Sequence, residues 1–160
     1  MSRQGYDRHI TIFSPDGKLF QIEYALKAVT TCGITGVALK GENTCVVVTQ
    51  KKATDPLMDK SYNTSLFKVT PNIGVMALGL VPDCRLCVAQ ARQVAASFMD
   101  KNGYEIPVHV LANKMGKKAQ IFTQNAGVRP LASTMTYFVL FYRVFSFLFY
   151  KLVGRLILIS

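Results

Sequence analysis

The residues predict an α+β domain. Short β-branched runs come in pairs around turn residues, and two long segments of helical period follow them. A third observation is an extended arm and a helix ahead of the first strand pair.

The arm alternates, with His9, Thr11 and Phe13 on one side and Ile10, Ile12 and Ser14 on the other. Ser14-Pro15-Asp16-Gly17 is a turn, because Pro15 fixes φ and Gly17 is free to take a positive value. Leu19, Ile22, Leu26 and Val29 then recur at steps of three and four, one apolar stripe on a helix. Ser14 or Asp16 is expected to cap its start, and Gly33 to stop it. Ile34 to Lys40 and Cys45 to Thr49 form a hairpin around residues 41–44. Lys51 to Ser65 is polar and connects it to Leu66–Val69 and Ile73–Gly79, a second pair around Thr70-Pro71-Asn72. Four strands in pairs suggest an antiparallel sheet.

The period then changes. Leu86, Ala89, Ala91, Val94, Ala95 and Phe98 make one face of a helix that opens at Pro82 and stops at Asn102-Gly103. Pro107 is expected at the first position of the next helix, where Val108, Leu111, Met115, Ala119 and Phe122 keep the spacing. Paired helices after strands argue for a helix layer on one sheet face.

From Thr136 to Ser160 the chain is almost wholly apolar and aromatic, broken by Arg143, Lys151 and Arg155. Three readings stand for this tail: a membrane span, native core, or translation of sequence outside the normal reading, such as a retained intron. Its length suffices for a span. Each basic residue near a bilayer centre, however, costs about 2.5–3.5 kcal/mol.

The 160 residues suit one domain. Charge is uneven: residues 106–160 hold seven Lys/Arg and no acid, against twelve bases and nine acids before them. No aromatic residues interleave with Lys114, Lys117 and Lys118 as on a nucleic-acid platform, so a nucleic-acid partner is not expected. Met1 to Gly5 is polar and gives no signal peptide, and Cys32, Cys45, Cys84 and Cys87 are expected as free thiols in a reducing compartment.

The stretch Tyr6 to Thr31, YDRHITIFSPDGKLFQIEYALKAVTT, resembles the amino-terminal signature of proteasome α subunits. Thr49-Gln50-Lys51-Lys52, Gly79-Leu80-Val81, residues 103–107 (GYEIP) and Phe122 to Leu131 extend the resemblance to about Met135. It divides the chain into 1–135, the amino-terminal part of an α-subunit domain, and 136–160, a divergent apolar tail. It implies the four-layer αββα sandwich of the Ntn (amino-terminal-nucleophile) hydrolases, incomplete at the carboxy terminus. The implied role is a non-catalytic α-ring subunit of the 20S core. It would serve ring assembly, channel gating and ubiquitin-dependent degradation in cytoplasm and nucleus. The implied partners are other α subunits in a hetero-heptameric ring, β-ring subunits and activator caps. Two alternatives remain: a self-standing Ntn-type hydrolase, and a membrane-tethered interaction protein using the tail.

Site residues follow from the same resemblance. Tyr6, Asp7, Arg8, Pro15 and Tyr24 match a gating cluster; a Tyr ring packs on proline, and Asp7 can accept from a phenol. Gly33, Ser65 and Leu80 match a pocket between subunits for activator tails. Ser65 stands where pocket members carry a Lys, so pairing with a tail carboxylate is lost there. The nucleophile position of the related β subunits falls near Cys32-Gly33, the acid at Gln50 and the lysine near Ser65, none of them suitable. No catalytic residue is therefore expected. Thr30 and Thr31 sit behind an intact arm and read as helix-end residues. Cys84-x-x-Cys87 lacks a second ligand pair for zinc and reads as buried packing, and His109 as a partly exposed polar contact. No nucleotide motif is present, and no cofactor or metal is implied.

Overall fold

A computed structural model describes residues 9–41, 44–52, 57, 59, 64–125 and 127–139, and the backbone of 148–150. The elements in order are α1 (Phe20–Cys32), β1 (Gly36–Lys40), β2 (Cys45–Thr49), β3 (Leu66–Lys68), β4 (Ile73–Gly79), α2 (Val81–Asn102), α3 (Val108–Gln124), β5 (Ser133–Val139) and β6 (Leu148–Tyr150).

The strand pairs do not share one sheet. β1 and β2 form a two-stranded sheet, and β3-β4-β5-β6 form a second, antiparallel throughout. Pairing within each hairpin is local and readable, whereas the choice of sheet depends on β5, which lies far along the chain. β5 runs from Ser133 through Met135 to Val139, paired with β4 along its whole length.

The core lies between the four-stranded sheet and the helix pair. Val75 faces Tyr137 and Ala77 faces Met135 across β4 and β5. These side chains meet Cys84, Cys87, Val88, Ala91 and Ala95 of α2 and Leu111, Ala112 and Met115 of α3 in one buried cluster. Each large aliphatic side chain buried there contributes about 1.5–3 kcal/mol. Strand alternation sends Met76 and Leu78 to the opposite face. There they meet Gly36 so closely that a Cβ on it would lie 2.5 Å from the Met76 sulfur and 2.9 Å from Leu78 Cδ1. The hairpin thus stacks on the sheet at the position that lacks a side chain. Three layers follow: helix pair, larger sheet, hairpin.

The outer face of the hairpin is apolar and exposed. Val37 pairs with Val48 and Leu39 with Val46. These four side chains are 52%, 61%, 66% and 54% exposed, in that order.

Several local expectations are corrected. Leu86 and Ala89 are exposed, and the inner face of α2 is made by Cys84, Cys87, Val88, Ala91 and Ala95. Neither Ser14 nor Asp16 caps α1: the N-cap is Leu19, without a side-chain bond. Ser14 instead closes its own turn, its Oγ accepting from the Lys18 amide at 3.0 Å. Its own N–H donates to the Lys18 carbonyl at 2.9 Å. Pro107 is the N-cap of α3 rather than its first helical residue, a shift of one position. Gly33 and Gly103 end α1 and α2 in the left-handed conformation, as their residue type requires. Most of the tail, residues 140–147 and 151–160, lies outside the described residues.

Candidate functional site

The first candidate site is the arm and α1. Tyr6, Asp7 and Arg8 lie outside the described residues. Pro15 occupies the exposed tip of the Ser14 turn, whose Gly17 N–H donates to the Ser14 carbonyl at 2.8 Å. Tyr24 is 46% exposed, and its ring stacks beside Phe20 with centroids 6.4 Å apart. Ile10 and Ser14 are buried, while Ile12 and Phe13 are both exposed and residues 10–11 form a turn, so the expected alternation of the arm does not hold and the segment is anchored at Ile10 and Ser14 alone. Only Ala25 of α1 is fully buried; Ile22, Leu26 and Val29 are half-buried. The helix therefore keeps apolar surface for contact beyond this chain segment.

The second candidate site comprises Gly33 at the end of α1, Ser65 just ahead of β3 and Leu80 at the start of α2. Gly33 closes α1, its N–H donating to the Thr30 carbonyl at 3.1 Å. Ser65 is half-buried ahead of β3, and its carbonyl accepts from the Ala77 amide at 2.8 Å. Leu80 caps the start of α2 with its side chain 37% exposed, and its N–H donates to the Ala132 carbonyl at 3.0 Å. Sequence reasoning missed Lys52. Its ammonium stands against Gly33, where a Cβ would lie 2.8 Å from Nζ. A cation at the carboxy-terminal end of a helix opposes the partial negative charge of its last carbonyls. Nothing in the local pattern marks this lysine, which reads as part of a polar connection.

The positions matched to a protease acid and lysine hold no such groups: Gln50 is exposed, its backbone N–H donating to the Thr35 carbonyl at 2.8 Å, and Ser65 carries no charge. At the nucleophile position, Cys32-Gly33, Cys32 is a half-buried thiol at the end of α1 and Gly33 has no side chain. The Thr30 hydroxyl donates back to the Lys27 carbonyl at 2.8 Å, as an ordinary helical threonine does.

Cys84 and Cys87 are buried on α2, facing the sheet. Burial pushes the Cys84 thiol up to about 12 and raises that of Cys87, whose sulfur lies 3.2 Å from Ser133 Oγ. Thiols so placed stay protonated and pack as small apolar groups. Among the described residues no group of three metal-ligating side chains occurs, and His109 is exposed on α3.

Two polar clamps hold the framework. Asp83, at the start of α2, receives both Arg129 Nη atoms at 2.7 Å and the Ala132 amide at 2.8 Å. The Arg129 bond holds the Asp83 carboxyl below the usual range, against the opposing effect of burial. Glu105, between α2 and α3, accepts from the Thr70 hydroxyl and from the Asn72 amide nitrogen and side chain. Burial raises the pKa of this carboxyl, but the bonds from Thr70 and Asn72 outweigh it and leave a net lowering.

A helix pair over an antiparallel sheet, with a second sheet stacked behind, is the α+β layered fold of a proteasome-type domain. Residues 30–145 match the family model described as proteasome subunit, and residues 6–28 match the N-terminal signature of the α-type (A-type) proteasome subunits. The chain belongs to the proteasome subunit family, on its α side. It is similar to a probable alpha type-1 proteasome subunit of Schizosaccharomyces pombe, 47% identical over 83% of this chain and 54% of the relative. The alpha type-6 proteasome subunit of Caenorhabditis elegans is 40% identical over 85% of this chain and 55% of the relative. The alpha proteasome subunit of Methanobrevibacter smithii is 39% identical over 84% and 54%. The chain spans about half the length of the curated relatives it matches. No helix among the described residues is long and apolar enough to cross a membrane.

Proposed function

We propose that this chain acts as a non-catalytic α-ring subunit of the 20S proteasome, of type-6 character. It helps close a hetero-heptameric ring with other α subunits, contacts the β ring, and takes part in channel gating during ubiquitin-dependent protein degradation. Cytoplasm and nucleus are the compartments of this reading. The observation that carries it is the α-type signature over residues 6–28. That signature falls on an arm and a helix whose apolar stripe is only half-buried. Type-6 character rests on the wording of residues 103–108 (GYEIPV) and 122–131 (FTQNAGVRPL).

The gating role is assigned to Tyr6, Asp7, Arg8, Pro15 and Tyr24, and an activator-tail pocket to Gly33, Ser65 and Leu80. Charge pairing with a tail is weak at this position of the ring because Ser65 is neutral. The absence of catalysis is supported by Gln50 and Ser65, which supply neither the acid nor the lysine, and by the place of Cys32-Gly33 inside the chain, where no free terminal amine stands beside the thiol as base.

Co-expression with six other α-type chains and a β set, followed by native mass spectrometry, tests ring membership. Incorporation of one copy per ring is expected. A purified chain that trims its own amino terminus and then hydrolyses a peptide substrate overturns the reading.

A further inference from the structure

Asn102 and Gly103 form the single Asn-Gly pair of the chain. They stand exposed where α2 ends: Asn102 is its last helical residue, and Gly103 closes it in the left-handed conformation at φ 76°. Two hydrogen bonds hold the pair. The Asn102 side-chain nitrogen donates to the Phe98 carbonyl at 2.8 Å, and the Gly103 N–H donates to the Met99 carbonyl at 2.8 Å. A Cβ built on Gly103 would meet nothing within 4 Å, so no neighbouring side chain shelters the junction there.

We propose that Asn102 is a spontaneous deamidation site and that the cap of α2 sets its rate. The Gly103 nitrogen attacks Asn102 Cγ, and a cyclic imide forms as the Cγ–Nδ2 bond breaks. Ammonia leaves with the proton that the Gly103 nitrogen gives up. Water then opens the imide. Cleavage at Cγ leaves an aspartyl residue, and cleavage at the backbone carbonyl leaves an isoaspartyl residue whose main chain runs through Cγ. Glycine favours the step because no side chain shields its nitrogen and its backbone turns freely into the reactive geometry. In the folded cap both reacting groups are engaged, the nitrogen with Met99 and the amide with Phe98. The last turn must therefore open first, and helix ends open at low cost.

The other described asparagines lack this arrangement. Asn72 is followed by Ile73, and its side chain is bound to Glu105. Asn113 lies within α3 ahead of Lys114, and Asn125 precedes Ala126. In each case a side chain on the next residue crowds the attacking nitrogen.

The products act on the connection between α2 and α3. An aspartyl side chain cannot donate to the Phe98 carbonyl, and its charge falls beside the last carbonyls of α2, whose partial charge is also negative. An isoaspartyl link lengthens the main chain just before Tyr104, which meets Phe98 edge-on with centroids 5.2 Å apart. Glu105 follows and holds Thr70 and Asn72. Conversion thus loosens the tie between this connection and the β3–β4 turn, and a chain whose α2 end has opened accumulates it fastest.

The test follows the full 160-residue chain in mildly alkaline buffer, native and in urea. Peptide mapping separates the asparaginyl, aspartyl and isoaspartyl forms at position 102. Conversion should appear at Asn102 ahead of Asn72, Asn113 and Asn125. It should run about tenfold faster in urea, where two bonds of ordinary net strength no longer hold the cap. G103A should slow it several-fold in urea, a comparison that does not depend on folding. N102D carries the charge of one product and should lower the melting temperature by a few degrees. Conversion no faster at Asn102 than at the other asparagines, equal rates with and without urea, or a G103A rate equal to the parent's overturns the proposal. Parent-like melting of N102D overturns the effect assigned to the product.

Discussion

Arg129 grips both carboxylate oxygens of Asp83 at 2.7 Å across a sequence separation of 46 residues. The carboxylate also accepts the Ala132 amide, so one side chain fixes the start of α2 and the entry to β5. Asp83 is buried while Arg129 remains largely exposed, so the aspartate is the member whose partners matter most. D83A leaves the Ala132 N–H without its acceptor and removes charge-assisted bonds. A loss of about 2–3 kcal/mol is expected in urea unfolding. R129K keeps the charge and loses the fork, and should cost about 1 kcal/mol. Equal stability of D83A and the parent would show the clamp to be idle.

Asp83 and Glu105 both have folded-state pKa values below their ordinary ones. Their contribution is fully present above the unfolded carboxylate range. It is lost as pH falls through about 4 and below, where the unfolded chain binds protons more readily. Unfolding free energy should therefore fall on acidification, and D83N should flatten that fall. A pH series of urea melts on both proteins measures the difference. Parallel acid limbs would contradict the assignment.

The parts of this fold that were legible in the sequence are those decided locally. Gly33 and Gly103 end helices because only the left-handed conformation closes them, and β1 with β2, or β3 with β4, pair across short turns. What was not legible depends on residues far apart. Ser14 could have capped α1, but the Lys18 amide lies within reach of its hydroxyl and wins. Separation of the hairpins into two sheets is decided when β5 pairs with β4, many residues later. The same holds for the site: Lys52 looks like a polar loop residue until the end of α1 comes to rest beside it.

Gly79 sits at the junction of β4 and α2 with φ 134°, and a Cβ there would overlap the Ala132 carbonyl oxygen. That carbonyl accepts from the Leu80 amide, so neither strand can move aside without losing the bond. G79A should cost more than about 3 kcal/mol and yield insoluble protein. Gly103, also at positive φ, faces open space, and G103A should cost only about 1 kcal/mol. Comparing soluble yield and melting of the two separates steric conflict from backbone preference. Similar losses would remove the role given to the Gly79 contact.

Thiol reactivity should follow burial. Cys84 and Cys87 are buried with raised pKa values; Cys45 is half-buried and its thiol is also pushed up by burial, while Cys32 is half-buried at the end of α1. In native protein near pH 8, iodoacetamide should label Cys32 before Cys84 or Cys87, which become reactive only on unfolding. Peptide mapping after timed alkylation reads the order. Early labelling of Cys87 would mean that α2 does not lie against the sheet.

The outer face of the β1–β2 hairpin sets the solution behaviour of the isolated chain. Val37, Leu39, Val46 and Val48 are exposed on it as two direct cross-strand pairs, a compact apolar surface open to association. Replacing Leu39 with Lys and Val46 with Glu puts opposite charges in one such pair, worth up to about 1 kcal/mol across the strands. Because both side chains point away from the larger sheet, thermal unfolding should move little, within about 1 kcal/mol. Light scattering at rising concentration should show less association for L39K/V46E than for the parent. If the variant associates as strongly as the parent while keeping its fold, the apolar contact lies elsewhere on the molecule.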